Sequence, residues 1–223
     1  MNNTKRKFNQ FIHKYGHAWV FLYGLIYLPW FAWLEKTVTT NYYVIHSTLD
    51  DHIPFIEYFI VPYLLWFLYV ACTMLYFFFT DKSGFYKLVI LLFSGMTLFL
   101  IICTLFPNGL ALRPAVFERE NIFVDLVRAL YATDTPTNVL PSLHVYNSLG
   151  CYIAIRKSER LQNNKVVRYG SFILTALIIL STMFLKQHSV IDVIAAFIMA
   201  YFFYQLVYAP SEAKAATLAQ QGI

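Results

Sequence analysis

His188 and Asp192 stand four residues apart in the stretch running from Ser181 to Asp192. On a helix that spacing puts both side chains on one face, one turn apart. A carboxylate so placed holds an imidazole in one tautomer and stabilises its charged form, which makes a histidine a nucleophile or a base. Lys186, two residues earlier, adds a fixed positive charge. A second constellation runs from Asn138 to His144 and contains Pro141, Ser142 and Leu143. Pro141 suits a first helical turn, where its missing N–H costs nothing. Ser142 offers a hydroxyl and an early backbone N–H, and a helix start of this kind attracts anions. His144 follows one turn in. Two histidines at one anion site divide into nucleophile and general acid. Arg113 offers a planar fork for phosphate.

The elements that must position these residues are apolar. Of 223 residues, 59% are hydrophobic and only 13% are charged, against roughly a quarter charged in a soluble domain. Several apolar runs reach the length of a membrane span. The fold class expected is all-α: a polytopic membrane protein with six transmembrane helices, over about 18–34, 57–79, 86–106, 141–155, 169–186 and 188–208. Pro29 falls inside the first and Pro62 near the start of the second. The fourth is short and carries Asn147 and Ser148. The connection 107–140 opens on a Pro107-Asn108-Gly109 turn signal. It holds an amphipathic helix over 115–131, suited to the membrane surface. One domain, 1–208, and a polar tail, 209–223, are expected. No signal peptide is expected before the first span.

Six spans place both termini on one side. With the amino terminus inside, 12 of the 17 Lys and Arg residues fall on inner segments, as the positive-inside rule requires. The net charge of +5 is then a topology signal, not a sign of nucleic-acid binding. The expected setting is a cell membrane with cytoplasmic termini. The long loop, the start of span four and the junction of spans five and six share the outer face, so the candidate residues collect there.

The set Arg113-Pro114, Pro141-Ser142-Leu143-His144 and Ser181 to His188 with Asp192 resembles the three-part signature of the type-2 phosphatidic acid phosphatase superfamily, which includes lipid phosphate phosphatases and vanadium haloperoxidases. The resemblance covers about 105–195. It implies that His188 attacks phosphorus to form a phosphohistidine and that Asp192 orients it. It implies that His144 protonates the leaving oxygen and then activates the incoming water, while Arg113, Ser142 and Ser181 hold the phosphoryl oxygens. No metal or cofactor is implied. The chain departs from the family pattern at three positions. Phe106 replaces a lysine, Thr182 replaces an arginine and Leu143 replaces a glycine; Lys186, and less directly Arg119 or Arg128, would stand in for the missing cations. The Ser-Leu-His variant also looks like the branch containing inositol phosphorylceramide synthases, and sphingomyelin synthases similarly keep the two histidines and the aspartate.

The function expected is an integral-membrane lipid phosphatase acting on a phosphomonoester or pyrophosphate of a lipid. Its partners would be that lipid phosphate and the bilayer. Transfer of a phosphoryl headgroup to an alcohol is the alternative. A proton-coupled transporter using His144, His188 and Asp192, or a haem protein with paired histidines, is the non-enzymatic alternative. His46, Asp50, Asp51 and His52 read as an ordinary polar loop, not a metal site. Cys72, Cys103 and Cys151, with no CxxC spacing, read as small hydrophobes in helices.

Overall fold

The computed structural model describes residues 14–210. The expected tail 209–223 and the basic start therefore lie almost wholly outside the described residues. Among the described residues seven α-helices carry the fold: α1 Gly24–Thr37, α2 Ile60–Thr80, α3 Lys82–Leu105, α4 Ile122–Thr133, α5 Leu143–Lys157, α6 Lys165–Phe184 and α7 Val190–Val207. A 3-10 segment, Gly16–Tyr23, leads into α1, and another, Glu57–Phe59, leads into α2.

Most helix starts are written locally. Asp81 accepts the Gly84 N–H ahead of α3, Asn121 accepts those of Phe123 and Val124 ahead of α4, and Asn164 accepts that of Val167 ahead of α6. Each cap satisfies a donor that the first turn leaves free. The Asn121 cap also corrects the surface helix. It begins at Ile122, not at 115, because the Asn121 side chain takes the first free N–H groups and its own backbone is extended.

Among the described residues, five helical stretches are long and apolar enough to cross a membrane: Gly16–Thr37, Glu57–Thr80, Lys82–Leu105, Lys165–Phe184 and Val190–Val207. The sixth expected span, α5, has only 15 residues. It is the enclosed centre of the bundle, packed by α2, α3, α6 and α7. Enclosure explains its polar residues. Buried Ser148 donates to the His144 carbonyl, and Thr175 of α6 donates to the Ser148 carbonyl.

Helix α3 packs closely on α5 at Gly95. A methyl group at Gly95 would lie 2.1 Å from the Tyr146 ring, and the Tyr146 hydroxyl donates to the Leu91 carbonyl at 2.5 Å. Gly95→Ala is therefore expected to lower stability by about 1–3 kcal/mol through overpacking. A thermal melt in detergent reads this directly. An unchanged midpoint would mean that the two helices separate freely.

At one end of the bundle three loop segments knit together. Tyr43–Val44 (β1) pairs in parallel with Asn108–Gly109 (β2). Fully buried Asn108 accepts the N–H groups of Val139 and Leu140 on its side-chain oxygen, both at 2.9 Å. The Asn108 carbonyl accepts the Asn138 N–H at 2.7 Å. Gly109 passes so near Pro136 that a Cβ would meet its carbonyl oxygen at 2.7 Å. This knot delivers the chain into Pro141 and the start of α5.

Candidate active site

The start of α5 is tied to the start of α7. Ser142 is the N-cap of α5, accepting the Val145 N–H, and its own N–H donates to the Asp192 carbonyl at 3.2 Å. Before α7 the chain makes a tight turn. Leu185 closes α6, Lys186 takes a left-handed backbone with φ 54°, and the N–H groups of Gln187 and His188 both donate to the Thr182 carbonyl. This helix ending usually employs glycine at the left-handed position. Ser189 then caps α7 in a capping box: its side chain accepts the Ile191 N–H, and Asp192 accepts the Ser189 N–H at 2.9 Å.

Asp192 therefore does two jobs with one oxygen. Oδ2 also meets Nδ1 of His188 at 3.3 Å, with Asp192 fully buried and His188 nearly so. The pairing fixes His188 with Nε2 free for chemistry. The His144 ring lies 5.8 Å from that of His188, centroid to centroid. It is packed against Tyr63 at 4.5 Å and Trp66 at 4.3 Å. His144 Nε2 is buried without a hydrogen-bond partner. An unmet buried nitrogen is costly, and a bound group would satisfy it.

Both imidazoles line a cavity of about 420 Å³. Tyr27, Leu28, Phe31 and Glu35 of α1 and Tyr63, Trp66 and Phe67 of α2 form much of its wall. Helix α1 rides on α3, to which Tyr23 and Trp30 are hydrogen-bonded, and hardly touches α2. Leu28 and Phe67 line the cavity yet are 64% and 58% exposed. The cavity thus opens sideways between α1 and α2.

His144, His188 and Asp192 are brought together. The four expected phosphate ligands are placed outside the lining. Ser142 is buried as a cap, and Ser181 donates to the Ile178 carbonyl inside α6. Arg113 stacks on Tyr131 at 4.4 Å and donates to the carbonyls of Tyr131 and Asp134 and to Gln187 Oε1. Burial lowers its pKa, with Asp134 opposing, but a guanidinium remains charged. Lys186 was to replace a missing cation. Its ammonium turns instead to the carbonyls of Asp50 and Ile53, because the left-handed turn aims it away from the cavity. Arg119 pairs with Glu57, and Arg128 pairs with Glu120 and Asp125.

It follows that Lys186→Met is expected to leave the KM for substrate within about threefold and to cost about 1 kcal/mol of stability. Steady-state kinetics beside a melting curve check this. A tenfold rise in KM would place the ammonium on the substrate.

Four residues at the site carried no motif signal. Asp50, from the loop read as merely polar, accepts the Val190 N–H at 2.8 Å and the Ser189 hydroxyl at 2.6 Å, and so anchors the start of α7. Gln187 bridges Arg113 to Asp134, donating to the Asp134 carboxyl at 3.1 Å. The Asp134 carboxyl also accepts the Tyr63 hydroxyl; burial pushes its pKa up, against the pull of His188 and Arg113. Glu35 accepts Thr135 at 2.5 Å and Asn138 at 2.8 Å, one on each oxygen. The early acidic residue beside Lys36 and the Asp134 before Pro136 gave no pattern that a local reading could use.

A family model described as PAP2 superfamily matches residues 26–206. No curated protein and no solved structure matches the chain.

Proposed function

Because the chain belongs to the PAP2 superfamily, we propose that it is an integral-membrane enzyme that cleaves a phosphate ester of a lipid through a phosphohistidine. The observation that carries this reading is the pair of imidazoles facing one cavity, one backed by a carboxylate and the other lacking a partner. His188 Nε2 attacks phosphorus while Asp192 holds the Nδ1–H and stabilises the developing imidazolium. His144, in its protonated form, gives its proton to the leaving oxygen. A water then enters, His144 takes its proton, and the P–N bond breaks. Proton transfers of this kind contribute about 10²–10⁴-fold. The mechanism needs no metal ion. Arg113 acts from behind Gln187, as a fixed charge in a layer where charges interact more strongly than in water.

The sideways opening between α1 and α2 supports a substrate that arrives from the bilayer with its tail still in lipid. We further propose that α5 crosses with the five longer helices. Both termini are then cytoplasmic and the cavity faces the extracytoplasmic leaflet, as the distribution of Lys and Arg favours.

Transfer of the phosphoryl group to an alcohol is the second reading. The aromatic wall of the cavity favours it, since it limits the water that can reach the phosphohistidine. Product analysis decides between the two. Purified protein is given a lipid phosphate ester with and without a long-chain alcohol. Hydrolysis predicts one water-derived product at an unchanged rate, whereas transfer predicts a new phosphate ester of the added alcohol that grows with its concentration. Absence of any phosphate-ester cleavage would reject both.

A further inference from the structure

The cavity contains two carboxyl groups, Glu35 and Asp134, and neither a lysine nor an arginine contributes to its wall. Among the described residues, neither carboxyl forms an ion pair with Lys or Arg. The two cations expected at the phosphate are committed elsewhere: Arg113 to backbone carbonyls and Gln187, and Lys186 to the 50–53 loop. Both oxygens of Glu35 are acceptors, as an ionised carboxylate requires, and each keeps a lone pair for another donor. The rest of the wall is ring faces, chiefly Tyr27, Phe31, Tyr63, Trp66 and Phe99.

This is the wrong electrostatics for a bare phosphomonoester or pyrophosphate. A phosphomonoester brings about −1.5 to −2 of charge at neutral pH, here into a partly dry cavity that already holds acid. Carboxylate and aromatic faces together are instead a site for an organic cation, which both attract. A phosphodiester carries one negative charge, and an attached ammonium cancels it.

Resting on the reading of His188 as the nucleophile, we propose that the substrate is a zwitterionic phosphodiester lipid whose headgroup ammonium is held by Glu35 and the aromatic wall. The P–N bond to His188 Nε2 forms as the phosphorus–oxygen bond to the lipid backbone breaks. His144 gives its proton to that oxygen, and the neutral lipid leaves between α1 and α2. The phosphorylated headgroup stays on His188, retained by its ammonium. Water, or an alcohol, then attacks phosphorus, passes its proton to His144 and releases the headgroup as a free phosphomonoester, or as a new diester.

The test pairs turnover with binding. Full-length protein in nanodiscs is given phosphatidylethanolamine, phosphatidylcholine, phosphatidylinositol and phosphatidate with matched acyl chains, and diacylglycerol is measured. Calorimetric titration of glycerophosphocholine and glycerol 3-phosphate reads binding without turnover. The proposal expects the ammonium lipids to turn over at least about tenfold faster than the other two. It expects glycerophosphocholine to bind more tightly than glycerol 3-phosphate, and Glu35→Gln to weaken only that ligand, by about tenfold. Glu35→Gln keeps the shape and the acceptor for Asn138, so a purely structural role would weaken both ligands alike. Tighter binding of glycerol 3-phosphate, binding of neither ligand, or faster release from phosphatidate would overturn the proposal. His188-dependent release from phosphatidate alone would leave the phosphohistidine intact and remove only the ammonium site. Turnover of every lipid by His188→Ala would remove the phosphohistidine itself.

Discussion

His188→Ala is expected to lower kcat at least about 10³-fold while the protein still folds. The substitution removes the proposed nucleophile, and groups that act as a unit lose nearly all their effect together. The remaining groups bind but cannot form the covalent intermediate. The structural cost is smaller. His188 lines a cavity, and its one bond to Asp192 is long at 3.3 Å. Asp192 keeps the Ser189 N–H, so the loss is about 1–3 kcal/mol for a buried acceptor left under-satisfied. Turnover and a detergent melt on the same preparation separate the two effects. Activity within tenfold of wild type would show that another group attacks phosphorus.

Asp192→Asn is the second large effect, expected at roughly 10²–10⁴-fold in kcat, the scale on which a catalytic histidine suffers from losing its carboxylate partner. The asparagine oxygen can still accept the Ser189 N–H, which preserves the cap of α7. The same oxygen still faces His188 Nδ1, so what is lost is the negative charge that would stabilise the imidazolium as phosphorus is attacked. The KM should change much less than kcat, because no lipid contact is lost. A KM that rises with kcat unchanged would assign Asp192 to substrate binding and remove it from the catalytic pair.

Parts of this account were legible in the sequence because they are local. The four-residue spacing of His188 and Asp192 marks the pair, although His188 stands ahead of the Ser189 cap and meets Asp192 across the helix start, not on a helical face. Ser142 is a cap as its type suggests, while Pro141 lies before it and not in the first helical turn. The apolar runs announce membrane helices by length alone. The remaining site depends on contacts between distant segments. Glu35 meets Asn138, and Asp50 meets Ser189, across more than 100 residues each. No local periodicity records such pairs. Lys186 shows the opposite failure. Its distance from His188 in sequence is short, but a single left-handed residue reverses where its side chain goes. The polar character of α5 was visible, and its meaning followed only once helices packed around it.

Those same distant contacts explain how a bundle of weakly patterned helices holds a site to the tolerance that catalysis needs. The start of α7 is held by Asp50 from one loop, and its first turn is tied to Ser142 at the start of α5. Two helices from different parts of the chain are thereby fixed end to end beside one cavity. In the proposed mechanism His188 carries the phosphoryl group covalently. The most direct measurement is a rapid quench of the enzyme with a phosphorus-labelled lipid substrate, followed by peptide mapping. The account predicts label on His188, stable in base and lost in acid, and absent from His188→Ala. Label on a serine or on His144, or turnover with no labelled protein at any time, would contradict it.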